Sequence, residues 1–397
     1  MSLLPLDEAQ RRLLEGTHRL PTEDVPLDAA HGRYLANDVV AKRNQPAADL
    51  SAMDGYAMLA GDDGGPWTVI GESAAGHPFG GSLARGQCVR ISTGALLPTG
   101  ASAILIQENA GRKGDVVTLA GGDGPSADLV RRRAFDFAQG DTVLVAGSRV
   151  DAPQLALARM AGHRSLAVGK RPALAVIDCG DELSDAASLP DHRIPATNGS
   201  MVQTMCAPLA RDARRIGPVA DSMDALLGAL AETADADVIV TSGGASVGDH
   251  DLVRPALERW GAELGFWRVA IKPGKPLLIA RRGATTLVGL PGNPASAYVT
   301  AFLFVLPLLR HLAGASDAFP RAVQLSLGEP LPETGVRAEL FRARLHNGYA
   351  VPIAQRDSSA LQALAAADLL IHRPVGAEAA AAGELVSAYL IQNGGIA

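Results

Sequence analysis

The chain has no basic excess. Its 397 residues carry 36 Lys and Arg against 42 Asp and Glu, a formal net charge of -6 with His neutral. A dedicated nucleic-acid binder usually shows the opposite balance, so no nucleic-acid partner is expected. Cysteine is scarce: Cys88, Cys179 and Cys206 lie far apart and form no metal-type pair. That usage excludes a disulfide framework and suits a reducing cytoplasm. The nine histidines show no HExxH-type spacing, which argues against a zinc enzyme. The start, Met1-Ser2-Leu3-Leu4-Pro5-Leu6-Asp7-Glu8, lacks a basic stretch followed by a long apolar core, so no signal peptide is expected. The most apolar segment, residues 297–309, contains Pro307 and falls short of the ~20 residues a membrane span needs. A buried helix is expected there, and no membrane partner.

What is present points to several folded domains. The length exceeds one ordinary domain and gives a prior of two to four. With 47% hydrophobic and 20% charged residues, each can bury a core. Residues 7–19 predict a helix with Ala9, Leu13 and Leu14 on one face. Residues 41–138 are Gly-rich with short apolar runs at Trp67-Thr68-Val69-Ile70, Cys88-Val89-Arg90-Ile91, Ala103-Ile104-Leu105-Ile106 and Val116-Val117-Thr118-Leu119, which predict a small β domain. A strand at Thr142-Val143-Leu144-Val145 and a helix from Asp151-Ala152-Pro153 to about Gly162 follow. In residues 171–313 continuous apolar strands, such as Ala173-Leu174-Ala175-Val176-Ile177 and Asp237-Val238-Ile239-Val240-Thr241, alternate with helical stretches. That alternation predicts a doubly wound, mostly parallel α/β sheet. Residues 320–397 read as β again, and no internal repeat is visible.

Two Gly/Pro-built turns end apolar runs: Gly289-Leu290-Pro291-Gly292-Asn293-Pro294 and Ile271-Lys272-Pro273-Gly274-Lys275-Pro276. Asn293 suits a helix N-cap, and Pro294 suits the first helical position because its missing N–H is not needed there. A helix N-terminus favours anions, and Lys272 and Lys275 add charge nearby in sequence, so a phosphate or other oxyanion is the expected ligand. A plain strand–turn–helix with two surface lysines would show the same residues. Ser242-Gly243-Gly244 follows a strand directly and can bring backbone N–H groups close to an anion. It is neither a Walker loop nor a GxGxxG fingerprint. Asp249 and Asp251 come next, and carboxylates beside a phosphate nest are what a Mg²⁺–phosphate ligand requires, although Asp251 could equally cap the next helix. Asp181 and Glu182 end another strand, where acids bind a metal or a polar ligand edge or are simply solvated. Asp221 is similar and weaker. Elsewhere Asp54 sits in a tight turn, Ser92-Thr93-Gly94 ends a strand, and Asp136 follows the basic run Arg131-Arg132-Arg133.

Together these segments resemble the molybdopterin molybdenumtransferase family, also found as the C-terminal region of gephyrin. The resemblance runs in order through Ser51-Ala52-Met53-Asp54-Gly55-Tyr56-Ala57, Ser92-Thr93-Gly94-Ala95, Gly180-Asp181-Glu182-Leu183, Thr241-Ser242-Gly243-Gly244-Ala245-Ser246-Val247-Gly248-Asp249 and the two Gly/Pro turns. It implies a linking domain (1–40 and 139–168), a β domain (41–138), a molybdopterin-binding α/β domain (169–315) and a C-terminal β barrel (316–397), in a homodimer. It implies Mg²⁺-dependent insertion of molybdenum from molybdate into adenylylated molybdopterin, with AMP released. The implied catalytic residues are Asp54, Thr93, Asp136, Glu182, Asp221 and Asp251, with Glu182, Asp221 and Asp251 at the metal. Substrate contacts are implied for Ser242, Gly243, Gly244, Ser246, Lys272, Lys275, Pro291, Gly292, Asn293 and Pro294. Candidate protein partners are the molybdopterin adenylyltransferase and molybdoenzyme chaperones. An adenylyltransferase-like enzyme and a non-catalytic molybdopterin-binding scaffold or carrier are the alternatives.

Three departures from the family pattern point to a divergent paralogue. Ala48 stands where an aromatic residue is usual, Ala134-Phe135-Asp136 where Gly-Glu-Asp is usual, and Asp178-Cys179 where Ser-Thr is usual. The last is expected to exchange a good hydroxyl donor for a poor thiol and to add negative charge near a phosphate site.

Overall fold

The computed structural model describes residues 3–62, 64–243 and 252–391. At its centre is a six-stranded sheet built from β1 (Ala173–Cys179), β2 (Asp212–Val219), β3 (Val238–Ser242), β4 (Glu263–Arg268), β5 (Pro276–Arg282) and β6 (Thr285–Leu290). Their spatial order is β2-β1-β3-β6-β5-β4. The first four in that order run parallel, and β6, β5 and β4 are joined antiparallel. β1 and β3 are buried along their whole length, which explains their unbroken apolar reading.

Alternate residues of these strands enter two separate cores. Leu174, Val176, Val238, Val240, Val288 and Leu290 pack with α1 (Asn198–Cys206) and with the C-terminal helix of the domain, Pro294–Leu312. Ala175, Ile177, Ile239, Ala280 and Leu287 pack with α2 (Met223–Ala231) and α3 (Val253–Arg259) on the other face. The sheet is therefore covered on both sides, as a doubly wound fold requires.

The helix Pro294–Leu312, here α4, is long and apolar enough to cross a membrane, but it is 89% buried inside the protein. It is the buried helix its sequence predicts. Its middle, Ala301–Val305, winds as a π-helix just before Pro307. Proline has no N–H and its ring crowds the carbonyl four residues back, so a local widening of the helix relieves the clash.

The N-terminal helix spans Leu6–Glu15, four residues shorter at its end than expected. The Arg281 guanidinium occupies that end and donates to the carbonyls of Arg12 and Leu13 at 3.4 and 3.2 Å. A Cβ at Gly16 would lie 2.0 Å from the same guanidinium, so glycine leaves room for Arg281 where the helix stops. After it, Thr22–Pro26 pairs with Ser165–Gly169, and Val39–Val40 with Thr142–Leu144. The helix Ala152–Met160 starts at a capping box of Asp151 and Gln154, and Gly162 follows it with φ +97°. Between these segments lies a six-stranded β sheet that includes all four apolar runs of residues 41–138. Near the C-terminus Val323–Leu327, Ala338–His346, Tyr349–Pro352, Leu369–Arg373 and Leu385–Leu390 close into a five-stranded barrel.

Candidate active site

The chain passes from β1 outward to β2 and returns to lay β3 on the other side of β1. Ligands of open α/β sheets bind at such a reversal, beyond the carboxyl ends of the strands. A cavity of about 60 Å³ lies there, lined by Asp178, Cys179, Glu182, Leu183, Ile194, Pro195, Thr197, Asn198, Ser242, Gly243, Gly292 and Pro294. Five of the residues expected from sequence therefore meet one another across β1, β3 and the start of α4: Glu182, Ser242, Gly243, Gly292 and Pro294. Gly244, Ser246 and Asp251 lie outside the described residues, as does Asp249.

Gly243 has φ +91°, and a Cβ there would stand 2.7 Å from the carbonyl oxygen of Cys179. Glycine is what lets β3 leave the sheet this close to β1. Its N–H, expected to face an anion, instead donates to the carbonyl of Leu290 at 3.3 Å. The sheet takes this donor, because β6 lies directly alongside β3. Ser242 is 2% exposed and forms part of the floor.

The two Gly/Pro turns come together. Gly274 has φ +103°, and a Cβ on it would meet Thr300 Oγ1 at 2.5 Å and the Ser296 carbonyl at 3.7 Å. The lysine loop thus rests on the first turns of α4. Lys275 is exposed. Lys272 donates from Nζ to Glu339 Oε1 at 3.1 Å, so part of its charge is offset by a carboxylate of the barrel. Pro294 holds the first helical position as expected. Asn293 holds the cap position, but its side chain makes no cap bond and donates to Ser358 Oγ at 2.9 Å. The Ser358 carbonyl accepts from the N–H of Ala295 at 2.9 Å. A barrel loop therefore does the capping. Arg342, 7% exposed, fixes that loop by donating to the carbonyls of Gln355, Asp357 and Ala360 at 2.8, 2.9 and 2.9 Å.

Sequence reasoning missed Ser358, because nothing local links it to a helix 64 residues earlier. Asn198 is the first residue of α1. It also lines the cavity and donates from Nδ2 to the Gly292 carbonyl at 2.6 Å, while its Oδ1 is buried with no partner among the described residues.

The acidic residues form a lip above β1 and β2. The N–H of Asp181 donates to Asp221 Oδ2 at 3.3 Å, and the N–H of Asp221 donates back to Asp181 Oδ1 at 3.1 Å. Glu182 follows directly. Asp221 does not line the cavity. Among the described residues neither Glu182 nor Asp221 has a salt-bridge partner, and no three His, Cys, Asp or Glu side chains cluster to hold a metal. Two uncompensated carboxylates suit Mg²⁺, which takes one or two of them and completes its shell with phosphate and water.

In the β domain Asp54 and Thr93 are brought together. Asp54 Oδ1 accepts from the Thr93 N–H at 2.6 Å and from its hydroxyl at 2.9 Å. These bonds, the backbone one first, hold the Asp54 carboxyl below the usual aspartate range. Asp136 is exposed, and its N–H donates to the Gln45 carbonyl at 2.9 Å. None of the three lines the cavity.

Comparison with known proteins covers all these parts. Residues 4–162 match the MoeA N-terminal region (domain I and II), residues 175–311 the probable molybdopterin binding domain, and residues 324–391 the MoeA C-terminal region (domain IV). A molybdopterin molybdenumtransferase of Haemophilus influenzae is 35% identical over 321 residues, 79% of this chain and 78% of that protein. The chain belongs to the molybdopterin molybdenumtransferase family. A family member from Staphylococcus aureus is 28% identical over 98% of the chain and 96% of its own length. Two crystal structures of the molybdopterin biosynthesis MoeA protein from Pyrococcus horikoshii superpose with TM-scores of 0.84 and 0.77, at 26% and 27% identity. Each covers 98% of this chain, and the chain covers 100% and 99% of them.

Against this family background the departures acquire physical form. Ala134 has φ +61°, a left-handed backbone that alanine seldom adopts, and Phe135 next to it is 75% exposed. Asp178 does not act as a free charge at the site. It is fully buried, accepts from Arg215 Nε at 2.6 Å, and accepts from the N–H of Gly199 at 2.8 Å. Cys179 packs into the apolar layer under α2 and α3.

Proposed function

We propose that this chain inserts molybdenum from molybdate into adenylylated molybdopterin, cleaves the phosphoanhydride and releases AMP. The carrying observation is the convergence at one crevice of the β1/β3 reversal, the start of α4 and the lysine loop seated upon it. The α4 terminus and Lys275 would hold oxyanion groups, and Asn198 would orient the ligand end seated in the cavity. Glu182 and Asp221, with Asp251, would hold Mg²⁺, whose chemistry there is to neutralise phosphate charge. The division of the chain at residues 40, 138, 168 and 315, the homodimer, the cytoplasmic setting and partnership with molybdopterin adenylyltransferase and molybdoenzyme chaperones belong to the same reading. Coverage of whole-length relatives favours it over an adenylyltransferase-like enzyme, whose function would not require the barrel loop on α4.

The test is AMP release from adenylylated molybdopterin, run with molybdate and separately with tungstate. Release should cease in excess chelator and return with Mg²⁺. No release under any of these conditions overturns the activity, and undiminished release in chelator overturns the metal dependence alone.

A further inference from the structure

The side chain of Arg215 ties the pocket wall carrying Glu182 and Leu183 to the sheet. Arg215 lies on β2 beside β1, in register with Val176. Its Nε donates to the buried carboxylate of Asp178 at 2.6 Å, and its two terminal nitrogens point the other way, each donating to one oxygen of Asp185 at 2.9 Å. Asp178 is in turn fixed by the N–H of Gly199 in the first turn of α1. A Cβ at Gly199 would lie 2.2 Å from Asp178 Oδ2, so the carboxylate occupies space that only glycine leaves open. One end of this chain of contacts is rigid, because Asp178 is 0% exposed and Arg215 19%, while Asp185 at the other end is 50% exposed. Asp185 directly follows the short pairing of Leu183–Ser184 with Ile194–Pro195, the element that supplies Glu182, Leu183, Ile194 and Pro195 to the cavity. That pairing is only two residues long on each side, and the segment between them, residues 185–193, contains no strand or helix.

We propose that Asp178, Arg215 and Asp185 form a clasp that holds residues 182–195 against the sheet, and so keeps the substrate pocket in its binding-competent shape. The three are positioning residues, and the proposal rests on the molybdopterin reading of the pocket. The planar guanidinium is suited to this, since it presents a bidentate fork to Asp185 while Nε remains bonded to Asp178. Opening the clasp lowers the fraction of protein with a formed wall, which weakens binding by that fraction and leaves the bound complex unchanged. The consequence is a change in KM without a matching change in kcat.

The variant to make is Asp185→Asn in the full chain, because it leaves the buried Asp178–Arg215 pair intact. Amide hydrogen exchange at residues 182–195 should quicken roughly five-fold, with β1 to β3 unchanged. Affinity for metal-free molybdopterin should fall only in proportion to the lost wall-formed fraction, KM should rise by the same ratio, and kcat should stay within about two-fold. Asp185→Glu should restore both. Unchanged exchange at residues 182–195 overturns the clasp, and so does faster exchange spread evenly over the sheet. Faster local exchange that saturating molybdopterin fails to suppress overturns its role in binding. If the wild-type protein binds no molybdopterin, the functional reading fails, and the exchange result still decides the clasp.

Discussion

Asp54 takes both donors that Thr93 offers, and the antiparallel pairing of Gly55 with Ile91 brings them together. Its folded-state pKa is depressed, first by the backbone N–H and then by the hydroxyl. The sign follows: the carboxylate contributes stability above the ordinary aspartate pKa and loses it as pH falls through the depressed value. Thr93→Ala removes the second donor and keeps the first. The Asp54 carboxyl should then titrate higher than in wild type and still below a free aspartate, as followed by carboxyl NMR. No movement on losing the hydroxyl would show that the backbone N–H alone sets the ionisation.

Among the elements, the lysine loop shows how tightly the site is assembled. Gly274 combines a left-handed backbone with a contact to α4, whereas Gly283 has φ +58° with nothing within 4 Å of its virtual Cβ. Alanine at residue 283 should cost only the left-handed penalty, roughly 1 kcal/mol. At residue 274 it must also push the loop off Thr300, so Gly274→Ala should cost about 2–4 kcal/mol in denaturant melts. Equal costs for the two variants would mean that the loop does not depend on this contact.

The same elements show what sequence could reveal. β1 and β3 were legible because burial on both faces leaves a continuous apolar run. β2 was not, since its residues Asp212-Ala213-Arg214-Arg215 mix charge into an edge strand, and Gly217-Pro218 reads as a turn. The α4 start was legible in Asn293-Pro294, yet the side chain that was expected to cap it does not, because a serine from the barrel arrives to compete. Asp178 looked like loose charge near a phosphate site. Its partners Arg215 and Gly199 are 37 and 21 residues away, and only the strand order reveals that they are adjacent. Local chemistry is thus written locally, while the pairing that neutralises or redirects it depends on topology.

At the scale of the whole molecule, the described residues that line the cavity all belong to the α/β domain, while Asp54 and Thr93 sit together in the β domain and do not line it. Both sets belong to the expected machinery, so a single chain leaves their relation open to a two-fold partner. In a homodimer with a two-fold axis, the β domain of each subunit can serve the α/β crevice of its partner, and both sites are then equivalent. Asp54→Asn and Glu182→Ala, each inactive as a pure dimer, should complement when their subunits are exchanged. Random exchange makes about half of the dimers mixed, and in each mixed dimer one site receives both native residues while the other receives both defects. AMP release should therefore recover to about a quarter of wild type. If each site instead draws both residues from one subunit, every site in a mixed dimer keeps one defect. Absence of recovery, with exchange verified by native mass spectrometry, would exclude the shared site.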